Sequence, residues 1–322
     1  MQKHVLVLAS PGHPDLHVLD PLLDLAQIQV IDTPEQAAPA IEKAEVLFAL
    51  QADKCWLLKE LWPRAKSLRW VQSSYAGVEP LMFPALVESH VALTNARGLY
   101  SSVLAEFVVG AILYFAKRFE ELQSNQRAGI WSRLQVDEVR GTTVGIVGVG
   151  DVGRACASQV HALGMRLLGC KRNPDSMPEI HPFEHIVAPD RRLEILPQCD
   201  WVVISTPLTH QTRGMIGLPE LRAMKSDSVL INIGRGAVVS EPVLVQALEE
   251  GWIRGAALDV VAQEPLPSDS PLWKMRNVLL SAHSADHTAE DLVQACRLFV
   301  DNFQRYLSGK PLLNLVNKQA GY

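Results

Sequence analysis

The chain has 322 residues, 48% hydrophobic and 20% charged, which is enough apolar material for two cores at roughly 150 residues per domain and too little charge for a disordered chain. Thirty Lys and Arg against 35 Asp and Glu leave a net charge of −5, which argues against the global basic field that gathers nucleic acid or anionic lipid. The longest uncharged apolar run, Phe107–Ala116, has 10 residues, about half of a bilayer crossing; no membrane partner is expected, and the protein reads as cytoplasmic.

Strand-length apolar runs alternate with amphipathic segments, the pattern of an α/β chain with parallel sheets and crossover helices. In the first hundred residues the spacing predicts strands at His4–Leu8, Ile28–Ile31, Val46–Ala49, Arg69–Gln72 and Val91–Thr94, with a helix over Pro34–Lys43. A long helix starts at Ser101 or Ser102 and runs to about Arg127; its apolar positions cover more than one stripe, so it packs on two partners. A second series then gives strands at Thr143–Val149, Arg166–Cys170, Trp201–Ser205, Val229–Ile233, Gly255–Val260 and Val278–Ser281, with helices at Val152–Leu163 and Glu241–Glu249. His287–Leu307 is the last helix. It either caps the second series or returns to the first.

Gly148-Val149-Gly150-Asp151-Val152-Gly153 fits G-x-G-x-x-G, directly after the run Thr142–Val147 and at the start of a helix. That strand–turn–helix setting is what dinucleotide binding demands: Gly148 makes the tight turn, Gly150 lets a pyrophosphate approach, and Gly153 lets helix and strand pack closely. The helix N-terminus, opening at Asp151 and Val152, adds N–H donors. About twenty residues on, an NAD site places a carboxylate on the ribose hydroxyls. Here Lys171-Arg172-Asn173 stand instead, and two cations suit a 2′-phosphate. NADP(H) is therefore the preferred cofactor, with NAD(H) possible.

In open α/β sheets ligands bind beyond the carboxyl ends of the strands. Arg235 follows the strand that ends at Ile233, Asp259 and Glu264 follow another, and His283 a third. A guanidinium, a carboxylate and an imidazole at one sheet edge suit reduction of a 2-oxo acid: Arg235 holds the carboxylate and polarises the carbonyl, His283 donates the proton, and Glu264 stabilises the imidazolium. His283 and His287, with Asp286 and Glu290, also have metal-ligand spacing, but the proton-transfer role already uses His283, and no metal is expected. His181-Pro182-Phe183-Glu184-His185 is not H-E-x-x-H. Cys55, Cys156, Cys170, Cys199 and Cys296 are scattered and read as small buried apolar residues, neither a disulfide framework nor a zinc site.

Along essentially its full length the chain resembles the D-isomer-specific 2-hydroxyacid dehydrogenases. The resemblance is carried by Ser74-Tyr75-Ala76-Gly77-Val78, Asn95 through Ala105-Glu106, the Gly148–Gly153 turn, Ser205-Thr206-Pro207-Leu208-Thr209, Asn232 to Gly236, Leu258-Asp259-Val260 with Glu264-Pro265, and Ala282-His283. It implies that Arg235, Glu264 and His283 are the catalytic residues and that Asp259 holds the nicotinamide carboxamide. Thr206, Pro207 and Leu208 would line the cofactor ribose, and the backbone of Ala76, Gly77 and Val78 would receive the substrate carboxylate. It also implies a flavodoxin-like substrate domain (1–98 and 288–322), an inserted Rossmann dinucleotide domain (99–287), an active site in the cleft between them, and a homodimer through the Ser101 helix.

Lys171, standing where NAD-preferring members carry Asp, makes the chain look like glyoxylate and hydroxypyruvate reductases that use NADP. Ala282 stands where Pro is usual, and Glu264 argues against formate oxidation, whose enzymes pair the His with Gln. Transcriptional corepressors resemble the same dehydrogenases, so a dinucleotide-responsive binding module with vestigial catalysis is the alternative from another class.

Overall fold

The computed structural model describes residues 2–176 and 182–321, so His181 of the pentapeptide above lies outside the described residues. The chain divides into two compact units, Met1–Tyr100 with Thr288–Tyr322, and Ser101–His287. Each holds one parallel sheet, and each is described by itself.

In the first unit, β1 (Lys3–Leu8), β2 (Ala26–Ile31), β3 (Val46–Ala49), β4 (Trp70–Ser73) and β5 (Ala92–Thr94) form a sheet of order β2-β1-β3-β4-β5, the flavodoxin-like doubly wound order. β3 and β4 are buried along their whole length; strands covered on both faces need continuous apolar runs, which is why alternation is missing from their sequence. The helix Asp291–Leu307 belongs to this unit. Phe299 stacks on Phe48 with ring centroids 4.4 Å apart and lies 5.3 Å from Trp70. Asn302, fully buried, donates to Gln72 Oε1 (2.9 Å) and accepts from Leu313 N (2.7 Å). A buried amide left without such partners would cost about 1–3 kcal/mol, so this pairing fixes the helix on the sheet by register as well as by apolar area.

In the second unit, β6 (Thr143–Val147), β7 (Arg166–Cys170), β8 (His185–Val187), β9 (Trp201–Ile204), β10 (Val229–Asn232), β11 (Gly255–Leu258) and β12 (Val278–Leu280) form a sheet of order β12-β11-β10-β9-β6-β7-β8. Order reverses between β6 and β9, which is where such sheets open a ligand crevice. β8 escapes the sequence reading because three residues between Pro182 and Pro189 carry too little periodicity.

The long helix is broken: Ser101–Ala116 is followed by Phe119–Arg127, with Arg118 at φ 54°. The returning chain explains the break. Asp137 N donates to Ala116 O at 2.9 Å, taking the carbonyl that a continuing helix would use, and Lys117 Nζ donates to Asp137 O at 2.6 Å. Phe119–Arg127 buries none of its residues, so no packing draws it into line. The last helix begins at Asp291 rather than His287, where the Asp291 carboxylate accepts from Leu292 N.

All five cysteines are buried and free. Burial pushes the thiols of Cys156 and Cys199 up to about 12 and that of Cys55 up to about 11, so they behave as apolar filling. No helix among the described residues is long and apolar enough to cross a membrane.

Candidate active site

The glycine turn leaves β6 and enters the helix Asp151–Ala162 as the sequence requires. Gly148 sits at φ 106°, and a Cβ there would lie 2.7 Å from Thr206 Oγ1; a Cβ on Gly153 would lie 2.2 Å from Gly148 O. Above Gly150 nothing stands within 4 Å of a built Cβ. The turn is therefore closed against its own scaffold and open outward, the shape a pyrophosphate needs to reach backbone N–H groups. Its outer wall comes from β9: Ser205 Oγ donates to Gly148 O and Thr206 Oγ1 to Val147 O, both at 2.8 Å. The side chain of Arg154 pairs with that of Asp151 in the first turn of the helix.

Of the residues singled out for cofactor binding, Gly148, Gly150, Asp151, Val152 and Gly153 lie at the end of β6, Lys171 and Arg172 after β7, Thr206, Pro207 and Leu208 after β9, Ile233 after β10, and Asp259 after β11. All follow carboxyl ends of strands in one sheet. Lys171 is tied to β8 through its backbone, N to Val187 O at 2.9 Å, and is half-buried, whereas Arg172 is exposed. These residues fit a dinucleotide: the turn accepts a pyrophosphate, and the end of β7 offers cations where a 2′-hydroxyl reader would offer a carboxylate.

Glu264 and His283 meet directly, and the loop that carries Arg235 abuts the loop that carries Glu264. After β10, Asn232 Oδ1 accepts from Gly234 N and its Nδ2 donates to Arg235 O, each at 3.1 Å, folding the turn that presents Arg235. A Cβ on Gly236 would lie 1.9 Å from the Val261 carbonyl, so the arginine turn presses on the loop after β11. In that loop Glu264 Oε1 accepts from Val261 N (3.1 Å), while its Oε2 meets His283 Nδ1 at 2.7 Å. The imidazole is bound to a carboxylate through Nδ1, which leaves Nε2 outside that contact, and both side chains keep about two-fifths exposure, 44% and 38%. A ring so held can pass a proton to a ligand.

Asp259 is 3% exposed. Its Oδ1 accepts from Ser281 Oγ (2.7 Å), Ser284 N and Ala285 N (both 2.9 Å), and its carbonyl accepts from His283 N at 2.7 Å. The sequence motifs include Ser205 and Asn232 but assign them no role, and Ser281 and Glu241, whose Oε2 accepts from Ala262 N at 2.8 Å, are not singled out as site residues. Polar residues abutting strand ends were the available signal.

Ala76, Gly77 and Val78 lie in the first unit. Asn95 Nδ2 donates to Ala76 O at 2.7 Å, Tyr100 Oη to Ser74 O at 2.6 Å, and Val78 is buried in the core, so this loop is a fixed backbone rather than a free one.

The family model "D-isomer specific 2-hydroxyacid dehydrogenase, NAD binding domain" matches residues 109–285. A glyoxylate reductase of Aeropyrum pernix is 35% identical over 86% of this chain and 84% of its own. A glyoxylate/hydroxypyruvate reductase B of Yersinia enterocolitica is 33% identical over 90% of this chain and 89% of its own. Among solved structures, a D-isomer specific 2-hydroxyacid dehydrogenase of Xanthobacter autotrophicus, in complex with NADPH and MES, superimposes with a TM-score of 0.85 at 27% identity, covering 99% of this chain and 100% of that one.

Gly153→Ala tests the turn. Driving a Cβ onto Gly148 O is expected to destabilise the protein by about 1–3 kcal/mol, read as a lower denaturant midpoint, and to abolish the fluorescence change of added NADPH. An unaltered midpoint with unaltered NADPH binding would show that helix and turn are not in contact as described.

Proposed function

The chain belongs to the D-isomer specific 2-hydroxyacid dehydrogenase family, and we propose that within it this protein is an NADPH-dependent reductase of a small 2-oxo acid such as glyoxylate or hydroxypyruvate. The observation that carries the reading is the His283 Nδ1–Glu264 Oε2 contact of 2.7 Å at the same sheet edge as Arg235 and the glycine turn. The glyoxylate and hydroxypyruvate reductases among its relatives support the substrate class, and the NADPH-bound neighbour supports the cofactor.

The Gly148–Gly153 turn, Lys171, Arg172 and the Thr206–Leu208 loop would hold the cofactor, whose chemistry there would be hydride transfer. Arg235 binds the substrate carboxylate and draws electron density from the adjacent carbonyl oxygen. His283, protonated, gives its Nε2 proton to that oxygen as it becomes an alkoxide, and Glu264 stabilises the charged ring before the transfer. In the other direction the neutral ring takes the proton back, so one pair serves reduction and oxidation. Glu264 in place of an amide matters because only a carboxylate balances an imidazolium charge.

Purified protein is expected to oxidise NADPH with glyoxylate or hydroxypyruvate, and His283→Ala to lower kcat by at least about a hundredfold while NADPH still binds. Absence of turnover with any 2-oxo acid overturns the reading.

Cofactor preference is assigned to the end of β7. Arg172→Ala removes a charge-assisted contact to the 2′-phosphate, expected to raise the KM for NADPH about ten- to a hundredfold while leaving that for NADH within about twofold. Equal effects on both cofactors would refute the role.

The partner proposed is a second copy of this chain. Ile130 is 55% and Trp131 fully exposed in the segment after Phe119–Arg127, an apolar pair that an isolated chain leaves in water. Sedimentation velocity at micromolar concentration is expected to give a dimer, and a monomer would dismiss the assignment.

A further inference from the structure

Ala282 and His283 adopt φ of 53° and 55°. The left-handed region is unfavourable for any residue with a Cβ, and it persists only where surrounding contacts overdetermine it. Among the described residues Arg118 and Asn314 share this region singly; the pair at 282–283 is consecutive.

Most contacts that hold this turn end on one residue, with Ser284 Oγ adding a bond to Ala282 O at 3.3 Å. Asp259 takes Ser281 Oγ on the N-terminal side, His283 N within the pair, and Ser284 N and Ala285 N on the C-terminal side. Four hydrogen bonds from a five-residue turn thus end on one residue, itself buried. Its backbone is anchored in turn by Asp259 N donating to Asn232 O at 3.0 Å. The backbone direction at residue 283 decides where the imidazole starts, and the 2.7 Å contact to Glu264 decides where it ends. An imidazole with 44% exposure would otherwise sample several rotamers.

We propose that Asp259 is the positioning residue of the proton donor: it fixes the Ser281–Ala285 turn in a left-handed form that sets His283 against Glu264. The role rests on the proposed reductase reading for its kinetic consequence and is separate from any contact of Asp259 with the cofactor. A proline ring holds φ near −65°, so Ala282→Pro removes the positive φ that this turn shows at residue 282.

Two variants and one direct measurement test this. Amide hydrogen exchange followed by NMR in the intact protein is expected to show His283, Ser284 and Ala285 protected by at least about tenfold, with Ser284 and Ala285 losing protection in Ser281→Ala. In Ser281→Ala kcat is expected to fall severalfold, and in Ala282→Pro by at least about tenfold, with the KM for NADPH within about twofold in each. A purely structural role would move the cofactor KM and the thermal midpoint together with kcat. Unprotected amides in the wild-type protein overturn the proposal, as does wild-type kcat in Ser281→Ala or in folded Ala282→Pro. Ser281→Ala loses only a hydroxyl and carries the kinetic test where Ala282→Pro does not fold. A wild-type protein inert toward every 2-oxo acid overturns the reductase reading alone, and hydrogen exchange still decides the positioning.

Discussion

A carboxyl group out of water needs hydrogen-bond partners in place of the solvent it has lost. Asp259 meets that condition with the turn that carries His283, and the consequence reaches well beyond one loop. Asp259 N is bonded to Asn232 O, Asn232 shapes the Arg235 turn, Gly236 of that turn abuts Val261, Val261 N is held by Glu264, and Glu264 holds His283. The contacts form a closed circuit through three loops from β10, β11 and β12. A closed circuit restricts each member more than an open chain would, because a displacement at any link must break a bond at another.

The two carboxylates of the circuit divide their work by exposure. Asp259, buried, is committed to backbone and hydroxyl donors and cannot follow a moving charge. Glu264, 38% exposed, faces the His283 imidazole, whose charge would change in the proposed proton transfer. Exposure keeps the ring within reach of ligand and solvent protons, and the direct contact keeps it oriented. The same reasoning applies to net charge. A total of −5 describes the surface as a whole, while Lys171, Arg172 and Arg235 gather cations at strand ends, where the anionic groups of cofactor and substrate would be neutralised locally.

What the residues made legible was the chemistry adjacent to strand ends. Gly148–Gly153 could be read because a dinucleotide turn constrains sequence at every second or third position. Arg235 and His283 could be read because each stands within two or three residues of a strand end, and Glu264 because it lies in the loop after β11. The parallel sheets were visible in runs such as Val144–Val147 and Val229–Ile233, where burial on both faces removes alternation. The break at Arg118 was hidden because its cause is distant: Asp137, some twenty residues on, takes the Ala116 carbonyl. Asn232 and Ser281 were hidden for a related reason. A short polar residue near a loop is common, and only the fold shows that its partner is Arg235 or Asp259.

Ala282 joins the two levels. In sequence it is a small departure from the family's usual residue, with no charge or hydrogen-bonding group to mark it. In the structure it occupies a backbone region that proline cannot enter and that alanine enters at a cost. Local rules of conformation are commonly broken where a site needs a geometry that propensity alone does not supply. The departure lies beside His283, and the buried carboxyl of Asp259 accepts from three donors of the same turn. Residue 282 and residue 259 meet in one turn: the positive φ of Ala282 and His283 is held by donors that end on Asp259, and those donors take the place of water around its buried carboxyl.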